Sequence, residues 1–135
     1  AQSGWDWFAL QLDDDTELMF YQLRRLDGSP DSSSGGTYVS KDGQATSLSS
    51  EDVSLEVVDY WTNSEGDRYP AEWRLRVPAQ GIDLKVVPVM RAQELQTIVR
   101  YWEGAVDVSG RAGDGLSSGK TTGRGYVELT GYSRR

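Results

Sequence analysis

The sequence predicts an all-β protein, an antiparallel lipocalin-like β-barrel of about eight to nine strands. Apolar and polar residues alternate at every second position far more often than they repeat at the helical period of 3.6. Turn-forming residues interrupt these runs at short intervals, and no segment is long enough for the helix of a βαβ unit. A meander with this many strands must hide its edges, and closing into a barrel does so. A flat sandwich, which has the same periodicity, is the alternative.

The first half of the chain is predicted to form two hairpins and a longer strand. "WDWFALQL" ends in the acidic turn at residues 13–15 and pairs with "ELMFYQLRRL". The polar run "SPDSSSGG", residues 29–36, cannot bury enough apolar surface to order itself, so we predict a mobile loop. "TYVS" and "QATSL" then pair around Asp42 and Gly43, which form a strong hairpin signal. "SLEVVDYW" follows as a strand that ends in the loop "TNSEGDRYP".

Two further strands have one apolar face each. In "AEWRLRV", Trp73, Leu75 and Val77 share one face while charged residues occupy the other, which indicates a strand packed against a core. "IDLKVVPV" repeats this pattern, and Pro88 marks an edge, a bulge or the end of pairing.

The remainder of the chain is predicted to be mostly strand. We expect a short helical turn near residues 91–96 and a strand over residues 98–108. Residues 111–122, rich in Gly and Ser, are expected to form a second mobile loop before the last strand, "YVELTGY".

Size and composition exclude several classes of protein. A chain of 135 residues has a common size for one domain, so residues 1–135 are expected to form a single barrel. The net charge of −7 opposes binding to nucleic acid or to an anionic membrane surface. The lack of histidine and cysteine removes zinc sites with those ligands and every catalytic triad that uses them. No apolar run approaches the roughly 18 residues of a transmembrane segment, so a soluble protein is expected.

Four motifs carry a resemblance to a known family, and they follow one another in order between residues 4 and 132. They are "GWDWFALQLDDDTELMFYQLR", "YPAEWRLRVP", "YWEGAVDVSG" and "GRGYVELTGY". Together they resemble the lipocalin-like carotenoid 1,2-hydratases, also called hydroxyneurosporene synthases, and their bacterial relatives. The resemblance implies two barrels in tandem, of which this chain is similar to the C-terminal one, and long apolar or polyene-like ligands. A second lipocalin-like domain is thus an expected partner, in a bacterial cytoplasm or periplasm.

The sequence departs from the family at one place. Relatives carry a His-containing segment just before the Trp-Asp-Trp motif, and this chain contains no histidine. If that segment supplies part of the hydratase active site, this chain alone is not expected to be a competent hydratase. The resemblance therefore implies a fold and a ligand class more directly than an activity.

Asp6 is the first candidate catalytic residue. It shares a strand face with Phe8, Leu10 and Leu12, and apolar surroundings disfavour its charged form. A carboxylic acid held protonated there can deliver its proton to an alkene, as hydration or cyclisation requires. In the structural alternative, Asp6 is a strand-end residue that accepts hydrogen bonds from the backbone or from an arginine.

Glu103 and Glu128 are the other candidate acids. In one interpretation they face solvent or pair with Arg74, Arg76 or Arg100, while their apolar neighbours fill the core. In the other they face a dry cavity, where one of them would be protonated. This cavity would have a polar end made of Tyr101, Glu103, Tyr126, Glu128 and Thr130.

Aromatic residues provide the candidate ligand-binding wall. Core packing accounts for most of the five tryptophans, since aromatic side chains bury large areas in sheets. The candidates for contact with a hydrophobic ligand are Trp5, Trp7, Trp73, Tyr101, Trp102 and Tyr126.

Three functions follow from these patterns. The first is a barrel that binds a hydrophobic small molecule, and the second is a hydratase, isomerase or cyclase that uses a pocket carboxylic acid. The third is the structural half of a two-barrel protein that docks a partner domain. No metal or cofactor is predicted, because "DDDTE" lacks the spacing of a calcium loop and the Gly-rich segments do not match a phosphate loop. An interior packed solid would favour docking, whereas a hollow interior with a buried acid would favour an enzyme.

Overall fold

The computed structural model describes residues 2–97, 99–113 and 119–133, which form an all-β structure. The strands are β1 (Gln2–Leu12), β2 (Glu17–Arg25), β3 (Gly35–Val39), β4 (Ala45–Ser49), β5 (Ser54–Thr62), β6 (Arg68–Val77), β7 (Ile82–Pro88), β8 (Glu94–Gln96), β9 (Arg100–Ala112) and β10 (Gly119–Thr130). The helical segments among the described residues are two 3-10 turns, Ser50–Asp52 and Pro78–Gln80. Neither has the length or apolarity to cross a membrane.

Nine of the strands form one antiparallel sheet that curls into a half-barrel. Their order across the sheet is β4-β3-β2-β1-β10-β9-β7-β6-β5, and β8 pairs with β9 outside this path. The two outermost strands, β4 and β5, are joined through the turn Ser50–Asp52. This architecture confirms the predicted antiparallel lipocalin-like fold.

The alternation of side chains decides which face of each strand is interior. In β6, Trp73, Leu75 and Val77 are buried, as predicted, while Arg74 lies outside and forms a bidentate ion pair with Asp83. In the interior, the rings of Phe8 from β1 and Trp73 from β6 meet edge to face, with centroids 5.3 Å apart. Strands from distant parts of the sheet therefore pack against each other through one continuous core.

Pro70 lies inside β6, although the sequence placed it in a loop. It pairs with Tyr60 of β5 on one side, whereas pairing of β6 with β7 begins only at Trp73. On its other side, β6 therefore has no paired strand at Pro70. Because no N–H is needed there, the missing N–H of proline costs no hydrogen bond.

The predicted helical turn at residues 91–96 is wrong. The short strand β8 occupies its second half, and Leu95 pairs with Tyr101 of β9. Backbone pairing with a neighbouring strand outweighs the weak helical preference of so short a segment.

Both predicted loops are shorter than expected. In residues 29–36, Gly35 already belongs to β3, and the buried Ser34 hydroxyl accepts a hydrogen bond from the backbone N–H of Leu23 at 2.9 Å. These contacts argue against the mobility predicted there. In residues 111–122, pairing of β9 with β10 continues to Ala112 and Gly119, and residues 114–118 lie outside the described part of the chain.

Candidate functional site

Asp6 lies on the interior face of β1, where it is only 3% exposed. Its carboxylate accepts hydrogen bonds from the Arg24 guanidinium at 2.5 Å, the Tyr132 hydroxyl at 2.7 Å and the Gln22 amide at 3.4 Å. Gln22 stands directly opposite Asp6 in the β1–β2 ladder, and Arg24 lies two residues further along β2. The hairpin register thus brings the arginine to the acid.

Arg24 is buried and has three kinds of partner. Besides the ion pair with Asp6, its guanidinium donates a hydrogen bond to the Thr130 carbonyl of β10 and lies 4.0 Å from the centre of the Tyr132 ring. A cation over an aromatic face is attracted by the negative π-cloud. We name Asp6, Arg24 and Tyr132 the interior triad.

Burial and partners act on the triad in opposite directions. Burial raises the pKa of Asp6 above its ordinary value, although Arg24, Tyr132 and Gln22 each act to lower it. Burial also raises the pKa of Tyr132, and the charge of Asp6 raises it further, so that the hydroxyl remains a hydrogen-bond donor. The triad is an internally satisfied group of an acid, a cation and a donor.

A second polar group continues from the triad along the same end of the barrel. The ring of Tyr69 lies 5.7 Å from that of Tyr132, and its hydroxyl donates to Glu94 of β8 at 2.6 Å. The Asn63 amide donates to both oxygens of Glu94 at 3.0 Å. Burial raises the pKa of Tyr69 and the hydrogen bond to Glu94 raises it further, so this tyrosine is also a donor.

Apolar side chains fill the rest of the interior. Trp73 and Phe8 are fully buried, and Trp102, which donates its Nε1–H to the Arg91 carbonyl at 2.7 Å, is nearly so. A small barrel is either filled by its own side chains or holds one small ligand, and here these rings take up the interior. Two predicted ligand-binding residues, Trp73 and Trp102, are therefore core residues in this structure.

Glu103 and Glu128 lie on the outer face of the sheet, and the interpretation that placed them in a dry cavity is wrong. Their strand neighbours Trp102, Val127 and Leu129 are buried, because apolar side chains gain more from the interior than carboxylates do. The alternative pairing with Arg74, Arg76 or Arg100 is also not formed, since these arginines pair with Asp83 or Glu65.

The two glutamates have neutral partners instead. Trp5 donates its Nε1–H to Oε1 of Glu128 at 3.1 Å, and the hydroxyls of Tyr101 and Tyr126 lie close enough to Glu103 for its charge to act on both. Desolvation raises the pKa of Tyr101 and of Tyr126, and the charges of the two glutamates raise it further. Both tyrosine hydroxyls thus stay neutral across the neutral range.

Four strands place aromatic side chains around this acid pair. Four residues form one row across these strands. Tyr21 of β2 pairs with Trp7 of β1, Trp7 pairs with Glu128 of β10, and Glu128 pairs with Glu103 of β9. Trp5 is 44% exposed and Tyr126 is 42% exposed. We name this region the acid–aromatic surface, and it consists of Trp5, Trp7, Tyr101, Glu103, Tyr126 and Glu128.

A groove of about 430 Å³ borders the acid–aromatic surface at Tyr126. Ala9, Met19 and Val39 contribute to its mostly apolar lining. The groove opens on the outside of the sheet and is separate from the interior. No three carboxylates of the described residues are arranged to hold a metal ion.

The sheet divides the candidate residues that the sequence suggested into two groups. Asp6, Trp73 and Trp102 lie inside, and the six members of the acid–aromatic surface lie outside. The sequence did not predict Arg24 or Tyr132 as members of the site. The hairpin register could have indicated Arg24, whereas the position of Tyr132, 126 residues from Asp6, depends on the complete fold.

Comparisons with known proteins agree with this fold. A family model described as AttH-like matches residues 1–132. A crystal structure of an AttH protein from Nitrosomonas europaea is 30% identical, with a TM-score of 0.82, over 98% of this chain and 40% of that one. Kievitone hydratase from Nectria haematococca is 20% identical, with a TM-score of 0.74, over 98% of this chain and 40% of that one. No match is found among curated proteins.

The chain thus spans 40% of the length of each of these two solved structures. The likeness to kievitone hydratase shows that the two proteins share a fold. The family match covers nearly the whole sequence, and the chain therefore belongs to the AttH-like family.

Proposed function

We propose that this chain is a packed half-barrel of a hydratase-type protein and that it acts by docking a second lipocalin-like domain. The observation that carries the proposal is the filled interior, in which Phe8 and Trp73 are fully buried and in contact. A barrel packed in this way leaves its outer surface as the region available to a partner.

The hydratase chemistry in this proposal belongs to the larger protein. The similar structures are longer than this chain, and one of them is named a hydratase. The resemblance to carotenoid 1,2-hydratases suggests that such a protein adds water to a carbon–carbon double bond of a long apolar substrate. Asp6 then has a structural role here, because Arg24, Tyr132 and Gln22 already occupy its carboxylate.

A second candidate function is supported by the outer groove. Its volume of about 430 Å³ and the apolar part of its lining, which includes Ala9, Met19, Val39 and Tyr126, suit part of a fatty acid or a polyene. A hydrophobic ligand would then bind on the outside of the sheet. Of the ligand-binding residues predicted from the sequence, Tyr126 would contact it there.

Titration with all-trans retinol and with palmitate separates these possibilities. Any saturable quenching of tryptophan fluorescence at micromolar concentration is expected to disappear in Met19→Glu, because the new charge lies in the groove and leaves the core unchanged. If neither ligand quenches the wild type, the docking function alone is supported. If a ligand quenches the wild type but not Met19→Glu, ligand binding in the outer groove is supported as well.

Met90→Glu is the matched control, since Met90 is exposed and does not line the groove. It should bind each ligand as the wild type does. Saturable quenching that persists in Met19→Glu would reveal another pocket and would overturn the proposal that the barrel is packed shut.

A further inference from the structure

The centre of the acid–aromatic surface holds two negative charges side by side. Glu128 of β10 and Glu103 of β9 are directly opposite each other in the antiparallel ladder. Opposed side chains in such a ladder have Cβ atoms about 4.5 to 5.5 Å apart, and like charges there are unfavourable. This pair therefore lowers the stability of the isolated sheet.

No cation of the described residues offsets this repulsion. The ion pairs of the described chain involve other acids. The polar side chains next to the two glutamates are neutral ones, Trp5 with its hydrogen bond to Glu128 and Tyr101 and Tyr126 near Glu103. Arg124 is on the same face of β10, but it is four residues from Glu128, or about 13 Å along the strand. The surface is thus complementary to a positive charge that the described chain does not supply.

The aromatic side chains around the pair favour the same kind of occupant. Trp5 and Tyr126 are both more than two-fifths exposed, and Trp7 flanks Glu128 in the ladder. Exposed rings attract cations through their π-faces, and tryptophan does so most strongly. A partner's cationic side chain can therefore form an ion pair with the carboxylates and a cation–π contact with the rings at the same time.

We propose that the acid–aromatic surface binds an arginine side chain of the docked partner, with its guanidinium reaching both Glu103 and Glu128. A guanidinium is planar, presents its donors as a fork that fits carboxylates, and stacks on aromatic rings, whereas an ammonium is a compact, strongly hydrated charge. The net charge of −7 adds long-range attraction for a basic partner. This inference rests on the proposed docking function and names the chemistry of the partner.

The test uses a short peptide, blocked at both ends, with three arginines separated by glycines. Its binding is followed through the fluorescence of the outer tryptophans at about 0.15 M salt, where exposed charges more than about 8 Å apart are largely screened. The arginine peptide should bind saturably, and Glu103→Gln with Glu128→Gln should lower its affinity about tenfold. The double variant should melt no lower than the wild type, because both glutamates are outside the core.

Two matched controls distinguish a site from general attraction. Glu51→Gln with Glu56→Gln removes the same charge from two exposed acids outside the acid–aromatic surface and should lower the affinity less than about threefold. A lysine peptide of the same length should bind at least about threefold more weakly than the arginine peptide. Equal losses in the two double variants, equal binding of both peptides, or no saturable binding would each overturn the inference.

One more variant tests whether the chain fills the site itself. If the arginine peptide binds only after Arg134→Gln and Arg135→Gln, the chain's own arginines occupy the surface and the partner assignment is overturned. Failure of the peptide test leaves the packed interior untouched, because the retinol and palmitate titrations examine that part of the proposal separately.

Discussion

Replacing Arg24 by methionine should lower the free energy of unfolding by about 3 to 5 kcal/mol at pH 7, because the Asp6 carboxylate would stay buried without its cation. Methionine retains much of the apolar volume of the arginine stem, so the loss reports mainly on the charge. Urea denaturation of the wild type and the variant measures it. Adding Asp6→Asn to Arg24→Met should recover part of the stability, since it removes the unpaired charge.

The same variant should show a distinct dependence on pH. Burial already raises the pKa of Asp6, and loss of the Arg24 charge raises it further. An acid with a raised folded-state pKa stabilises the fold fully below its unfolded value of about 3.9 and loses that contribution as the pH rises through the folded value. The deficit of Arg24→Met should therefore be smaller at pH 4 than at pH 7.

Arg74→Met is the control for the Arg24 experiment. Arg74 forms its ion pair with Asp83 on the outer face, where both side chains are partly exposed, and such pairs contribute about 0 to 1 kcal/mol. If Arg24→Met cost no more than Arg74→Met at pH 7, the interior triad would not be an important part of the fold.

Replacing Trp73 by alanine should cost about 3 to 5 kcal/mol, because the change removes a large buried ring and leaves a cavity beside Phe8. The cavity would be apolar and dry, and such cavities bind small aromatic molecules. Indole at millimolar concentration should therefore raise the melting temperature of Trp73→Ala and leave that of the wild type unchanged.

Trp5→Ala provides the comparison with a tryptophan on the other face. Trp5 is nearly half exposed and makes one hydrogen bond to Glu128, so its loss should cost about 1 kcal/mol and create no indole site. Equal losses in the two variants would contradict a filled interior.

The sequence could predict the fold because each strand carries its own alternation. In β6, the apolar set of Trp73, Leu75 and Val77 indicated which residues share the buried face before any contact was known. The failures arose where pairing with another strand decides the structure, as in β8, whose three residues are too few to show a period.

The candidate site was harder to predict, because alternation shows which residues share a face but not what that face meets. For Glu103 and Glu128, the buried Trp102 and Leu129 settle the direction, and the opposition of the two acids follows from a register that the sequence does not state. For Asp6, the inward direction was expected. Its partner Tyr132 lies 126 residues away along the chain and could not be inferred locally.

The pairing of β1 with β10 has a consequence for how this protein is made. Tyr132 contacts Asp6 from 126 residues further along the chain. The edge of β1 that pairs with β10 therefore stays unpaired until the ribosome has added the intervening chain. At about 5 to 20 residues per second, this interval is roughly 6 to 25 s, far longer than the formation of the β1–β2 hairpin in microseconds. During that time the apolar side chains of Phe8, Leu10 and Leu12 lie along an open strand edge, the kind of surface that chaperones bind and that associates with other nascent chains.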